Sequence, residues 1–93
     1  MFNRILVELQ ERIRNRDYVM TYHARKEMNE DELSIDDVEQ GILSGEIIER
    51  QKDKTTGEWK YRINGETLSA EGIEVITKFS ITGKLVIITV YVL

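Results

Sequence analysis

Apolar residues at Phe2, Leu6, Leu9 and Ile13 recur at intervals of four, three and four, with Ile5 beside them, and predict a first helix with one apolar stripe. Glu8, Glu11, Arg12 and Arg14 fall mainly on its polar side, Asn3 is its candidate cap, and it should stop within residues 15–17. Tyr18, Val19, Met20 and Thr21 then lead into a second short helix, capped by Thr21, in which Met20, Ala24 and Met28 recur every four residues. A charged link at residues 29–32 precedes the clearest boundary in the chain. Ser34 followed by Asp37 resembles a capping box, Ile35, Val38 and Ile42 carry the stripe of a third helix, and Gly45 suits its C-terminal stop.

Beyond Gly45 the period shortens to two. Residues 46–51 are β-branched at their centre, and Lys54, Thr55, Thr56 and Gly57 suit a reversal. Trp59, Tyr61 and Ile63 alternate with Lys60, Arg62 and Asn64, the pattern of a strand with one buried face. Asn64-Gly65 is a candidate turn. Ile73, Val75, Thr77 and Phe79 alternate with Glu74, Ile76, Lys78 and Ser80, and Thr82-Gly83 leads into a last strand over residues 84–92. That strand is apolar on both faces, with Leu85, Ile87, Tyr91 and Leu93 on one and Val86, Ile88, Val90 and Val92 on the other, so it belongs inside a sheet. The order predicts one α+β domain over residues 1–93, in which three N-terminal helices pack mostly on one face of a four-stranded, mainly antiparallel sheet. Residues 1–17 form the N-terminal helix. Sheet curvature, the first helix or a partner subunit would cover the other face, and a homodimer or another protein partner is an expectation.

Composition narrows the chemistry. Among 93 residues there is no Cys, no Pro and a single His, which excludes disulfides and thiolate chemistry and leaves no expected metal site or cofactor. The longest apolar run, residues 85–93, is far short of the roughly 20 residues of a membrane-spanning helix, and residues 1–10 lack the pattern of a signal peptide, so the expectation is a cytoplasmic protein with no membrane association. The net charge is -4, unevenly spread. Residues 1–26 carry six basic and three acidic side chains, residues 27–49 nine acidic and no basic ones, and residues 50–64 five basic and two acidic. The two basic blocks could form one cationic face, or pair with the acidic block inside the molecule.

Candidate chemistry centres on His23, the residue type whose proton exchange lies nearest neutral pH. It could act as a general base, or donate one hydrogen bond and do nothing further. Arg25 and Lys26 adjoin it at a helix start, where a phosphate could be held, although such side chains are more often simply solvated. Lys60 and Arg62 share one strand face, as phosphate-backbone contacts would. Trp59 and Tyr61 could stack on bases only from an exposed face, and their alternation favours the core. Tyr91 is first a core ring whose hydroxyl needs a partner or reaches a cleft.

Thr21, His23, Ala24, Met28, Glu30, Leu33, Ser34, Val38, Gly45 and Glu46, with the ending Ile88-Thr89-Val90-Tyr91, resemble the signature of DUF4258, a prokaryotic domain family of unknown function, over residues 18–93. The resemblance implies a layout similar to RelE-like and BrnT-like toxins, small α+β ribonucleases that pair with antitoxins. It makes His23 the acid–base residue, with Arg25 and Tyr91 as further catalytic candidates and Arg25, Lys26, Lys60 and Arg62 as the groups that would bind RNA phosphates. Where the pattern carries two arginines and a glycine, this chain has Glu27, Asp31 and Glu32, which puts anions beside His23. Three functions therefore stand side by side: a protein-interaction or assembly domain, a metal-independent endoribonuclease or toxin-like protein, and a non-catalytic RNA-binding relative. An exposed apolar strip on the sheet would favour the first. A cleft joining His23 to Arg25, Lys60, Arg62 or Tyr91 would favour the second.

Overall fold

The computed structural model describes residues 2–93, and two of its three helices begin where a side chain satisfies the backbone. The first helix, α1 (Asn3–Arg14), is the exception, starting after Phe2 with no side-chain cap, so Asn3 lies inside the helix rather than at its cap. Helix α2 (Tyr22–Glu30) follows Thr21, whose hydroxyl oxygen accepts the Ala24 N–H at 3.0 Å. Helix α3 (Ile35–Leu43) starts with the full capping box, Ser34 accepting from the Asp37 N–H and Asp37 accepting from the Ser34 N–H. Its far end is closed by α1, where Gln10 Nε2 donates to the carbonyls of Ile42 and Leu43, each at 3.2 Å.

Five strands form one sheet: β1 (Tyr18–Met20), β2 (Glu46–Lys52), β3 (Trp59–Glu66), β4 (Gly72–Phe79) and β5 (Leu85–Val92), in the order β1-β5-β4-β3-β2. The α+β class stands, but the expected sheet of four strands has a fifth. Strand β1 runs parallel to β5, and the other pairs are antiparallel, so the sheet is mixed. Three residues are too few to show alternation, and β1 is a strand only because β5, more than sixty residues away in the chain, supplies its partner. As expected, β5 lies inside the sheet, between β1 and β4.

A bulge changes the faces of β5. Ile76 pairs with Thr89 and Thr77 with Ile87, so Ile88 is an extra residue opposite β4. The bulge turns Val90 into the core beside Leu85 and Ile87, all fully buried, and turns Tyr91 to the other face. The regular alternation expected for this strand therefore fails after Ile87.

The Asn64-Gly65 turn is also absent: β3 continues to Glu66, and the chain reverses at residues 67–71, where the Thr67 N–H donates to the Glu71 carbonyl at 2.9 Å. Gly65 serves a close approach instead. A Cβ there would stand 1.9 Å from the Gly41 carbonyl oxygen, so the missing side chains let α3 lie directly on β3. The core fills the space between helices and sheet with Leu9, Ile13, Ala24, Val38, Ile42, Ile63, Ile73, Val75, Leu85, Ile87 and Val90. Among the described residues no helix is long and apolar enough to cross a membrane.

Candidate functional site

With the apolar faces of the strands turned to the helices, their other faces form an open surface of the sheet. Strand registers fix its rows: Glu49, Arg62, Ile76 and Thr89 lie across one line, and Asn64, Glu74 and Tyr91 across the next. A second bulge, at Ile48, brings Glu49 opposite Arg62. The bulge at Ile88 brings Thr89 and Tyr91 into these rows, where an unbroken strand would have set Ile88 and Val90.

Glu74 is the centre of the surface. It is only 5 % exposed, and its carboxylate accepts from Arg62 Nε at 2.5 Å, from the Tyr91 hydroxyl and from Asn64 Nδ2 at 3.4 Å. The Tyr91 hydrogen bond, then the Arg62 guanidinium, hold the Glu74 carboxyl below the usual carboxylate range against the opposing effect of burial. The same carboxylate, with burial, raises the Tyr91 hydroxyl pKa, so Tyr91 keeps its proton and spends it on Glu74. Arg62 reaches a second carboxylate, Glu49, at 3.5 Å.

Beside this cluster lies a cavity of about 260 Å³ lined by Glu49, Gln51, Lys60, Arg62, Ile76, Ile88, Thr89 and Tyr91. Lys60 is tethered to Asp53 at 3.3 Å, and Lys78, farther along the face, to Glu58 at 3.1 Å. The surface thus has a guanidinium and an ammonium held by acids, with hydroxyl, amide and carboxylate oxygens around them.

Of the residues singled out from the sequence, Lys60, Arg62 and Tyr91 come together at this cavity. His23 does not line it. Its side chain is 67 % exposed on α2, and Nε2 stands 3.2 Å from Glu27 Oε1. Arg25 and Lys26 line other hollows, along α2 and β1. Tyr61 is buried edge-on against Phe79, with ring centres 6.4 Å apart, and Trp59 lies under the Arg50 guanidinium at 4.0 Å, so neither ring faces the cavity.

Glu27 and Asp31, the acids standing where arginines were expected, have a defined place. Strand β1 ends at Met20 opposite Ile87, so on that side β5 has no strand neighbour beyond that point. There Glu27 Oε1 accepts the Val90 N–H at 3.2 Å and Asp31 Oδ2 accepts the Val92 N–H at 3.3 Å. Two carboxylates one helical turn apart stand in for the missing strand. Glu49, Gln51, Asn64, Glu74, Ile88 and Thr89 were not singled out as site residues from the sequence, although Ile88 and Thr89 belong to the ending that resembles the family. A carboxylate between Ile73 and Val75 is visible as an oddity in a strand, but its partners depend on register with β3 and β5. Among the described residues no three His, Cys, Asp or Glu side chains gather as a metal site.

These features define a small α+β protein with three helices on one face of a mixed sheet and a polar surface holding a cavity on the other. A family model described as Domain of unknown function (DUF4258) matches residues 20–92, and the chain belongs to that family. No curated protein and no solved structure matches it. Within the family signature, Thr21 and Ser34 cap helices, Ala24, Leu33 and Val38 are core, and a Cβ at Gly45 would stand 2.6 Å from the Asn64 carbonyl oxygen.

Proposed function

We propose that the protein binds single-stranded RNA on the open face of its sheet, with Arg62 and Lys60 on a phosphate and Tyr91, Thr89 and Glu49 on ribose and base groups. The observation that carries this reading is the company Arg62 keeps. One cavity joins its guanidinium to Lys60 and to a set of oxygen acceptors. Phosphate calls for the cations. The acceptors call for a ligand that also donates. Because Tyr91 gives its proton to Glu74, its oxygen faces a ligand as an acceptor, the complement of a ribose 2′-hydroxyl. The RelE-like and BrnT-like layout that the family resemblance implies would call for the same class of ligand.

The sheet face itself speaks against a protein-docking strip. Its apolar members Val86, Ile76 and Ile88 are interleaved with Lys60, Arg62, Glu74, Lys78 and Thr89. Binding rather than cleavage is proposed, because His23 stands outside the cavity. The test is a backbone-amide NMR titration with a short single-stranded RNA at low salt. Shifts over residues 60–64 and 88–91, and a Lys60→Gln variant whose log affinity against log salt loses roughly 0.7 of slope, are the expected result. Shifts confined to α1 or α2, or none, overturn the reading. Cleavage of the RNA by the wild type but not by His23→Ala would replace it with the endoribonuclease reading.

A further inference from the structure

Strand β1 is an edge strand with one side of its backbone unused. In the parallel pairing, the Leu85 N–H donates to the Asp17 carbonyl at 3.2 Å and the Thr21 N–H to the Ile87 carbonyl at 3.0 Å. With Tyr18 opposite Leu85 and Met20 opposite Ile87, the groups of Asp17, Val19 and Thr21 face β5, and those of Tyr18 and Met20 face away from the sheet. Two N–H donors and two carbonyl acceptors are therefore presented outward. The opposite edge of the sheet is protected differently: β2 carries the bulge at Ile48 and the charged Glu46, Glu49, Arg50 and Lys52.

Along β1 runs a hollow of about 440 Å³ between the strand, α2 and the start of α3, lined by Arg16, Val19, Arg25, Met28 and Ile35 among others. Val19 is 46 % exposed. Arg16 and Arg25 have no carboxylate within ion-pair reach among the described residues, in a chain of net charge -4. The nearby Glu39 accepts the Tyr18 hydroxyl.

We infer that the outer edge of β1 is a pairing site for an extended, acid-bearing segment of a partner protein, which adds a sixth strand and sets its carboxylates on Arg16 and Arg25. Main-chain bonds to Tyr18 and Met20 would supply affinity, and the two guanidiniums with the apolar floor of Met28 and Ile35 would select acidic, alternating sequences. A second copy of this chain is the wrong occupant. Edge-to-edge pairing would bring a second set of the same arginines to the same edge, at a cost that grows as the pair is desolvated.

The probe is a short synthetic peptide of alternating Glu and Val added to the full chain, with amide hydrogen exchange read residue by residue. Exchange at Tyr18 and Met20 should slow about tenfold or more at saturation, while Val19 and Thr21, already bonded to β5, change little. The double variant Arg16→Glu, Arg25→Glu should retain its fold and lose about tenfold or more in affinity. Unchanged exchange at Tyr18 and Met20, equal binding of a Lys-and-Val peptide, or slowing that follows protein concentration without peptide would each overturn the inference. The last of these would assign the edge to self-association. Because residues 60–64 take no part, the outcome is independent of the RNA titration.

Discussion

Glu74 sits on an uncovered sheet face yet is almost wholly shielded, because Arg62, Asn64 and Tyr91 close over its carboxylate. Its proton affinity is lower in the folded than in the unfolded chain, so it contributes stability at neutral pH that is lost as pH falls through its lowered folded pKa. Asp37, held down by the N–H groups of Ser34 and Leu68, acts in the same direction. Urea midpoints should therefore fall as pH drops below about 4, and Glu74→Gln should show a lower midpoint at pH 7 with a flatter acid limb, Asp37 and Asp53, the latter held down by the Thr55 and Thr56 N–H groups, supplying what slope remains. Glu74→Ala should cost on the order of 2–3 kcal/mol at neutral pH, near the value for stranding hydrogen-bond partners, since Arg62 is exposed enough for water to solvate part of it. Gly65 makes a steric counterpart. In Gly65→Ala the new Cβ meets the backbone of Gly41, which cannot rotate aside, and a loss of about 3–5 kcal/mol is expected in the same urea assay. The turn glycine Gly57, with φ of 75° but open space around it, should cost only about 1 kcal/mol on the same change.

At the scale of elements, the least regular strand edge is the most informative. Beyond Ile87, β5 has β4 on one side and side chains on the other, the Thr21 hydroxyl on the Ile88 carbonyl and then the Glu27 and Asp31 carboxylates. Glu27→Ala with Asp31→Ala should speed amide exchange at Val90 and Val92 selectively and cost about 1–3 kcal/mol together, at roughly 0.5–1.5 kcal/mol per hydrogen bond. Uniform acceleration across β4 and β5 would mean that the two acids hold the whole sheet rather than its edge. The three helices were legible because their signals are local: Ser34 with Asp37 marks a cap, and Ala24, Val38 and Ile42 fall at helical spacing in the core. Non-local elements were not. Strand β1 is Tyr-Val-Met between two helices, and only β5 makes it a strand. The bulge at Ile88 leaves no mark in a run of Val, Ile and Thr, yet it decides whether Tyr91 or Val90 enters the core. Asn64-Gly65 shows the converse, a local turn signal overruled by the contact between α3 and β3.

For the whole molecule, the helices take one side of the sheet and leave the other open, and the parts of that surface come from four strands. Lys60 and Arg62 were legible as a shared face because alternation within one strand is local. Their meeting with Glu49, Glu74, Thr89 and Tyr91 depends on two bulges and three registers, which no spacing in the chain encodes. His23 drew attention as the only histidine, a compositional signal that carries no position. The family match begins at residue 20, but the fold does not. Leu9 and Ile13 of α1 are buried in the same core as Ile42 and Leu85, and Gln10 closes the end of α3. Burying two such side chains is worth about 3–6 kcal/mol, a large part of the whole stability of a domain of this size, about 5–14 kcal/mol. A chain cut to residues 18–93 should therefore lose cooperative thermal unfolding by circular dichroism and bind a hydrophobic dye at 25 °C, whereas Leu9→Ala alone should remain folded with its melting temperature lowered by roughly 10–20 °C. A cooperative melt of the truncated chain near that of the full one would show that α1 is an accessory layer and that the family segment carries its own core.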